Sequence, residues 1–367
     1  MATITRENIG VLNDKITVKV GKEDYITSFE KSLKNYGKSA NIPGFRKGMV
    51  PAGMIKKLHG QAVFTDEVLR TVEKELTKYM DSEKLNIFAQ PLPVAENDPN
   101  NLDVNNPQEY TFGFEVGLKP EFTVAEISQE TLPLYKVEVT DEMIDKQVER
   151  IRKGYGKKKD PEGDNSEENI EPAELNEELF KAAYPAKEIT NVDDFRQAIR
   201  DDMQEYWDTQ SRNHLQHEIY HRLLDKTQID FPESFLKRWL EVGTEKQKSP
   251  EDVEKEYPGF KNQLKWSLIT DKLATDQKLE VTPDDIRDFA KKQLFGYMGA
   301  QNLGDDQPWV EDYVNRMMQD RKFIDDTYYR LRAEKIFEWA ENQVQKEEKK
   351  VSEEDFTKEL QAHEHEH

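Results

Sequence analysis

The stretch Ile42-Pro-Gly-Phe-Arg-Lys-Gly-Met-Val-Pro51 decides how this chain is read. Pro43, Gly44, Gly48 and Pro51 each interrupt regular structure, so the segment is a loop. Between its glycines, which let the backbone turn tightly, stand an aromatic and two cations, Phe45, Arg46 and Lys47. A tip of this make-up presents its side chains outward. Arg46 can fork onto phosphate or carboxylate, Lys47 supplies a point charge, and Phe45 can stack on a base or fill a small pocket. The chemistry of the loop alone leaves a second reading beside this one, with Phe45 tucked back onto the flanking helices and the cations merely solvated.

Working outward, Leu12, Ile16, Val18 and Val20 alternate as in a half-buried strand, and Tyr25, Phe29, Leu33 and Tyr36 then recur at helical spacing after the acidic start Glu23-Asp24. Beyond the loop come helical patterns from Pro51 to about Leu58 and from about Val63 to Met80. Phe88 to Val94 and Tyr110 to Leu118 return to period two. Residues 1–120 are therefore expected to form an α+β domain. Its first 60 residues hold eleven Lys or Arg against five Asp or Glu, a balance of +6, whereas the whole chain carries -21 and the remainder therefore -27. A basic head on an acidic body can dock by that head onto nucleic acid.

Residues 121–156 read as a connector and arm. Leu134 to Val139 gives a short strand, and Thr140-Asp-Glu-Met143 opens a helix with a capping residue and first-turn acids. Residues 157–173 read as a solvated linker, since Asp160 to Glu178 holds nine acids, no basic residue and two prolines. Residues 174–350 are expected to be an elongated all-α domain with helices near 192–226, 232–247, 250–278, 283–298 and 308–347, several of them opened by proline. Residues 351–367 read as a charged His/Glu tail, whose last residues His363-Glu-His-Glu-His367 are expected to be disordered or an appended remnant. With 367 residues, two or three domains are expected. There is no cysteine, which excludes disulfides and thiol chemistry, and no apolar run suits a signal peptide or membrane span. The expectation is a cytoplasmic protein without a membrane partner. No glycine-rich phosphate loop is present, so no nucleotide or other cofactor is expected, and no metal is assigned.

Ile42 to Pro51, followed by Met54-Ile-Lys-Lys-Leu-His-Gly60, resembles the ribosome-binding signature of the trigger factor family of bacterial chaperones. Leu134 to Met143 looks like that family's segment leaving the N-terminal domain, and Ala173 to Phe180 like the start of its helical domain. The resemblance implies that Gly44, Phe45, Arg46, Lys47 and Gly48 contact a protein and RNA of the large ribosomal subunit beside the tunnel exit. It further implies unfolded or nascent polypeptides as clients, and allows a homodimer off the ribosome. Most members carry an FKBP-like prolyl isomerase domain between these segments, and the interval from Gly156 to Pro172 is too short for one. The expectation is an ATP-independent chaperone that is not an enzyme.

A chaperone of this kind needs apolar surface. From Pro308 onward, Val310, Tyr313, Val314, Met317, Ile324, Tyr328, Leu331 and Trp339 fall on one broad face that reads as core, while Phe323 and Phe337 project from the far side. Those two, with Phe235, Trp239, Phe295, Tyr297 and Met298, are the candidate client-binding residues. Two competing readings remain. His217-Glu218-Ile219-Tyr220-His221 matches the zinc metallopeptidase pattern, although on the helical wheel His217 falls on the apolar side with Phe195 and Leu224, and His214 and His221 at its margin. The other is a helical RNA-binding adaptor that holds no client.

Overall fold

A computed structural model describes residues 2–43, 45–46, 48–97, 101–158, 170–185, 187–243, 247–298 and 308–365. The chain forms two compact units, Met1–Thr123 with Gln228–Leu264, and Val124–Thr227 with Lys265–His367. The first unit thus recruits a segment that the sequence reading leaves wholly in the helical domain.

In the first unit, β1 (Thr3–Gly10) and β2 (Asn13–Val20) form an antiparallel hairpin with Thr3 opposite Lys19. Ile16, Val18 and Val20 are fully buried on one face of β2. Strand β1 escaped the sequence reading because it is an edge strand whose side chains nearly all face water, so it carries no alternation. The helix α1 (Lys22–Ser39) begins where the Asp24 carboxylate accepts the Gly21 N–H at 2.9 Å. The helix α2 (Ala52–Ser82) is continuous through Gly60, where the sequence reading placed a break. Phe64, Val68, Val72 and Leu76 recur every fourth residue as one buried stripe, and their burial outweighs the roughly 1 kcal/mol cost of a helical glycine. With β3 (Leu92–Pro93) and β4 (Tyr110–Gly117), the sheet order is β1-β2-β4-β3, and Ile16 lies opposite Phe114. Tyr25 and Phe29 both meet the ring of Phe64 edge-on, at 5.4 and 5.3 Å between centroids. The Tyr25 hydroxyl donates to the Gln108 carbonyl at 2.7 Å, and burial pushes its pKa up to about 12.

The second unit begins with β5 (Thr131–Val137) and α3 (Asp141–Gly154), whose Thr140 hydroxyl accepts the Met143 N–H. Short strands β6 (Lys157–Lys158) and β7 (Ile170–Glu171) then pair antiparallel. The helices α4 (Glu177–Ala183) and α5 (Val192–Lys226) follow, the latter capped by Asn191 accepting the Asp194 N–H at 2.8 Å. Phe180, Phe195, Ile199 and Trp207 build the core against Ile144 of α3. After α6 (Glu233–Val242) and the first part of α7 (Pro250–Asp276), which belong to the first unit, come α8 (Pro283–Met298), α9 (Pro308–Met317) and α10 (Arg321–Gln343). The Arg212 guanidinium donates to both oxygens of Glu341 at 2.9 and 3.1 Å, and Gln216 adds a bond at 2.6 Å, tying α5 to α10.

Two expectations near the C-terminus are corrected. The single helix expected over 308–347 is broken after Met317, where Asp320 accepts the Lys322 and Phe323 N–H groups at 2.9 and 3.2 Å and starts a new helix. The supposed tail is built structure through His365. The strand β8 (Gln345–Val351) pairs parallel with β5, from Thr131 opposite Gln345 to Val137 opposite Val351, and α11 (Glu353–His365) follows. Lys136 meets Glu348 at 2.9 Å across the pair, and Lys350 bonds Glu138. Phe356 of α11 is fully buried against Tyr135 and Trp207. The segment Gln345–Val351 resists recognition because its charged residues have poor strand propensity, and only the unpaired edge of β5 makes a strand of them.

Phe356→Ala is expected to lower the stability of the second unit by about 3–5 kcal/mol in chemical denaturation. A disordered tail would lose less than about 0.5 kcal/mol. Asp285, at the start of α8, accepts from the Lys335 ammonium at 2.8 Å and from the Thr282 N–H and hydroxyl at 2.7 and 2.9 Å, which hold its pKa down at about 2. Because the folded value lies below the ordinary 3.8, the stabilisation is complete above that value and lost as the pH falls through about 2. Asp285→Asn should therefore flatten the acid limb of a melting-temperature profile.

Candidate functional site

The loop quoted at the outset joins α1 to α2. Its path is set by two tight turns, Phe45 N–H to the Ile42 carbonyl at 3.1 Å and Met49 N–H to the Arg46 carbonyl at 2.9 Å, and by Gly48 at φ 80°. A side chain at that φ is strained, so the turn depends on glycine at this position. The helix ends on either side are held together by Tyr36 and His59, whose rings lie 4.7 Å apart. Phe45, Arg46 and Gly48 are exposed, while Gly44 and Lys47 lie outside the described residues.

Charge at this end of the hairpin is uncompensated. Lys31, Lys34, Lys38, Arg46, Lys56 and Lys57 are all exposed, and among the described residues none forms an ion pair. Cations farther from the loop are paired, as in Arg6 with Asp14 at 2.6 Å and Lys19 with Glu109 at 3.3 Å. Set among the free cations are apolar side chains that the sequence reading did not single out: Met49 at 70% exposure, Leu58 at 56% and Met54 at 39%. The only signal for them was their place beside the loop, since helical spacing on so short a run does not say which face is covered. Apolar contacts inside a ring of unpaired cations suit a surface that mixes phosphate with protein.

The candidate client-binding residues do not form one patch. Phe235 is corrected outright: it is 0% exposed and lies on β4 where Gly117 leaves room for the ring, a Cβ there falling only 2.2 Å from its Cδ1. Beside it, Asn13 donates to Glu115 at 2.7 Å and to Ser234 at 3.0 Å, and Arg238 completes the pair with Glu115. Trp239 is half-buried and stacked on Phe260 at 6.1 Å. In the second unit, Phe295 and Phe323 are half-buried against Ala290, Val310 and Val314, and Phe337 stacks on Trp266 at 5.7 Å. The side chains of Tyr297 and Met298 lie outside the described residues.

Exposed aromatics arise elsewhere instead, with Tyr329 at 66% and Tyr328 beside it, its ring 5.7 Å away. The helical spacing places Tyr328 on the covered face, but the break after Met317 resets the helical phase, and Tyr328 faces water while Ile324, Leu331 and Trp339 are half-buried. The first unit also holds a largely apolar groove of about 680 Å³ between α2 and the β3–β4 edge, lined by residues including Leu69, Leu76, Met80, Val94, Phe112 and Phe114.

His217 and His221 come together on α5, with Nε2 atoms 3.2 Å apart, while Glu218 faces Arg222 at 3.9 Å. His214, and not His217, is the buried member of the trio. Among the described residues no group of three or more His, Asp or Glu side chains is placed to hold a metal ion, so the zincin pattern lacks a third protein ligand there.

Residues 2–151 match the family model described as bacterial trigger factor protein, and residues 211–360 match that of the probable trigger factor C-terminal domain. Among curated proteins, the chain is 22% identical to a trigger factor of Chlorobaculum parvum, over 78% of this chain and 86% of that one. It is 23% identical to one of Prosthecochloris aestuarii over 79% and 86% of the two chains. A trigger factor of Bifidobacterium longum is 30% identical over 154 residues, 42% of this chain and 33% of that one. A solved structure reported under promiscuous substrate recognition by the trigger factor chaperone shares the fold at TM-score 0.54 and 12% identity, covering 92% of this chain and all of the other.

Phe235→Ala is expected to destabilise the first unit by about 3–5 kcal/mol in chemical denaturation, as a fully buried aromatic does. A surface client contact at this position would cost less than about 0.5 kcal/mol.

Proposed function

The chain belongs to the trigger factor family of ribosome-associated chaperones, and we propose that it docks through the α1–α2 loop at the large ribosomal subunit and shelters emerging polypeptides without ATP. The observation that carries this reading is the cluster of exposed cations around Phe45 and Arg46, none of which forms an ion pair among the described residues. Ribosomal RNA is the partner that such a cluster suits, because each phosphate met by a lysine or arginine releases a counterion. Lys47 would add a further charge, and Phe45 with Met49 would seat on protein or base. The acidic remainder of the chain would stand off from the RNA, leaving apolar surface for clients. Half-covered aromatics such as Trp239, Phe295, Phe323 and Phe337 are the proposed holding points. A cytoplasmic location and a homodimer off the ribosome fit the same reading.

Prolyl isomerase activity is proposed to be absent. Lys158 lies opposite Ile170 across the β6–β7 pair, so only residues 159–169 lie between these strands. A segment of that length cannot supply the sheet of several strands that an isomerase pocket requires.

Sedimentation with vacant ribosomes tests the docking site. The Phe45→Ala/Arg46→Ala/Lys47→Ala variant is expected to lose binding while its unfolding curve stays within about 0.5 kcal/mol of wild type, since an exposed loop supports neither core. Binding by the unmodified chain should weaken about tenfold between roughly 50 and 200 mM salt if two phosphates are contacted. Cosedimentation of the triple variant at the wild-type level would show that another surface docks.

A further inference from the structure

We propose that a cavity in the second unit receives an aromatic side chain of an unfolded polypeptide and holds it by ring contacts and a main-chain hydrogen bond, an inference that rests on the client-sheltering reading above. The cavity measures about 440 Å³ and opens between α3, Tyr184 at the end of α4, α5 and the start of α11. Its size and its mixture of apolar wall with a few polar groups are those of a ligand pocket. Ile199 and Trp207 are buried and Met203 half-buried, and together they supply the apolar wall. Tyr184 and Tyr206 add two further rings. Tyr206 is 55% exposed and meets Trp207 edge-on, with 5.0 Å between centroids. A ring entering beside them finds both faces and edges to pack on, which gives it an advantage over an aliphatic side chain of the same area.

Hydrogen bonding sets what accompanies the ring. Two donors among the lining residues lack an acceptor. The Trp207 indole N–H is buried and has no hydrogen-bond partner among the described residues, a state that costs stability until an acceptor reaches it. Arg150 is exposed and forms no ion pair among the described residues, while Glu149 beside it pairs with Arg152. Asp202 of the cavity wall is engaged by the Lys187 ammonium at 3.1 Å, which also lies over the Tyr184 ring at 4.9 Å. The acceptor must therefore come from the occupant. A main-chain carbonyl is one that every polypeptide carries at a fixed short distance from its side chain, so a single aromatic residue brings ring and acceptor together. Arg150 and Glu353, of opposite sign and both exposed, stand among the lining residues, so the cavity selects by the ring and not by the charge of the segment.

The test uses the full chain with isotope-labelled tryptophan, whose five indole N–H signals are followed by nuclear magnetic resonance. The probe is an acetylated and amidated glycine–serine peptide with one central phenylalanine. The Trp207 signal, identified by its loss in Trp207→Phe, is expected to move as the peptide is added, and the same peptide with alanine at its centre should leave it in place. Tyr206→Ala and Arg150→Ala, both at exposed positions, should each weaken the phenylalanine peptide by about threefold to tenfold, the worth of one ring contact or one hydrogen bond. A Trp207 signal unmoved by the phenylalanine peptide, or an affinity unchanged in either variant, overturns the proposal. Suppression of the aggregation of an unfolded protein is measured in parallel. Suppression without a Trp207 response refutes the cavity alone, whereas the absence of both refutes the client-sheltering reading with it.

Discussion

The first unit depends on the three-ring contact of Tyr25, Phe29 and Phe64, which fastens α1 to α2 and both to the sheet. Edge-to-face rings at this spacing add about 0.5–1.5 kcal/mol per pair beyond the area they bury, and they are directional. The angle between the helices is therefore set in the core, far along the hairpin from the loop. The loop itself needs little of its own stabilisation: two turns and one left-handed glycine suffice, because the helix ends on which it is mounted are fixed. An exposed loop on a rigid hairpin can then keep its cations unpaired without cost to the fold.

The contrast in charge follows from the same economy. Over much of the surface, acids and bases sit at helical spacing and partly cancel, as Lys146 does with Glu142 at 3.0 Å and Arg330 with Glu334 at 3.0 Å. Such exposed pairs contribute little to stability. Around the loop the acids are missing, and a field of one sign persists. A net charge of -21 hides this completely, since a partner meets the local and not the summed charge.

Glycine and a returning chain close the two units by similar means. At Gly117 the absence of a side chain admits Phe235 onto bare backbone, and beside it the buried Asn13 amide and the Arg238 guanidinium both donate to Glu115. In the second unit β8 supplies hydrogen bonds to the edge of β5, and Phe356 fills the core next to it. In both cases a segment distant in sequence completes a core that the preceding elements leave open.

What the sequence by itself determined was whatever rests on local chemistry. The Pro/Gly-bounded loop at 42–51, the alternation of β2 and β4, the capped start at Thr140 and the 192–226 helix were all legible, because backbone preferences and periodic burial act over a few residues. The family resemblance was legible for the same reason, as its signature is one contiguous stretch. Only the tertiary structure decided that Phe235 is core, that Gln345–Val351 is a strand, that 228–264 joins the first unit and that Tyr328 and Tyr329 face water. Each of those outcomes depends on which distant surface arrives to cover a residue, and no periodicity within a segment records what will be packed against it.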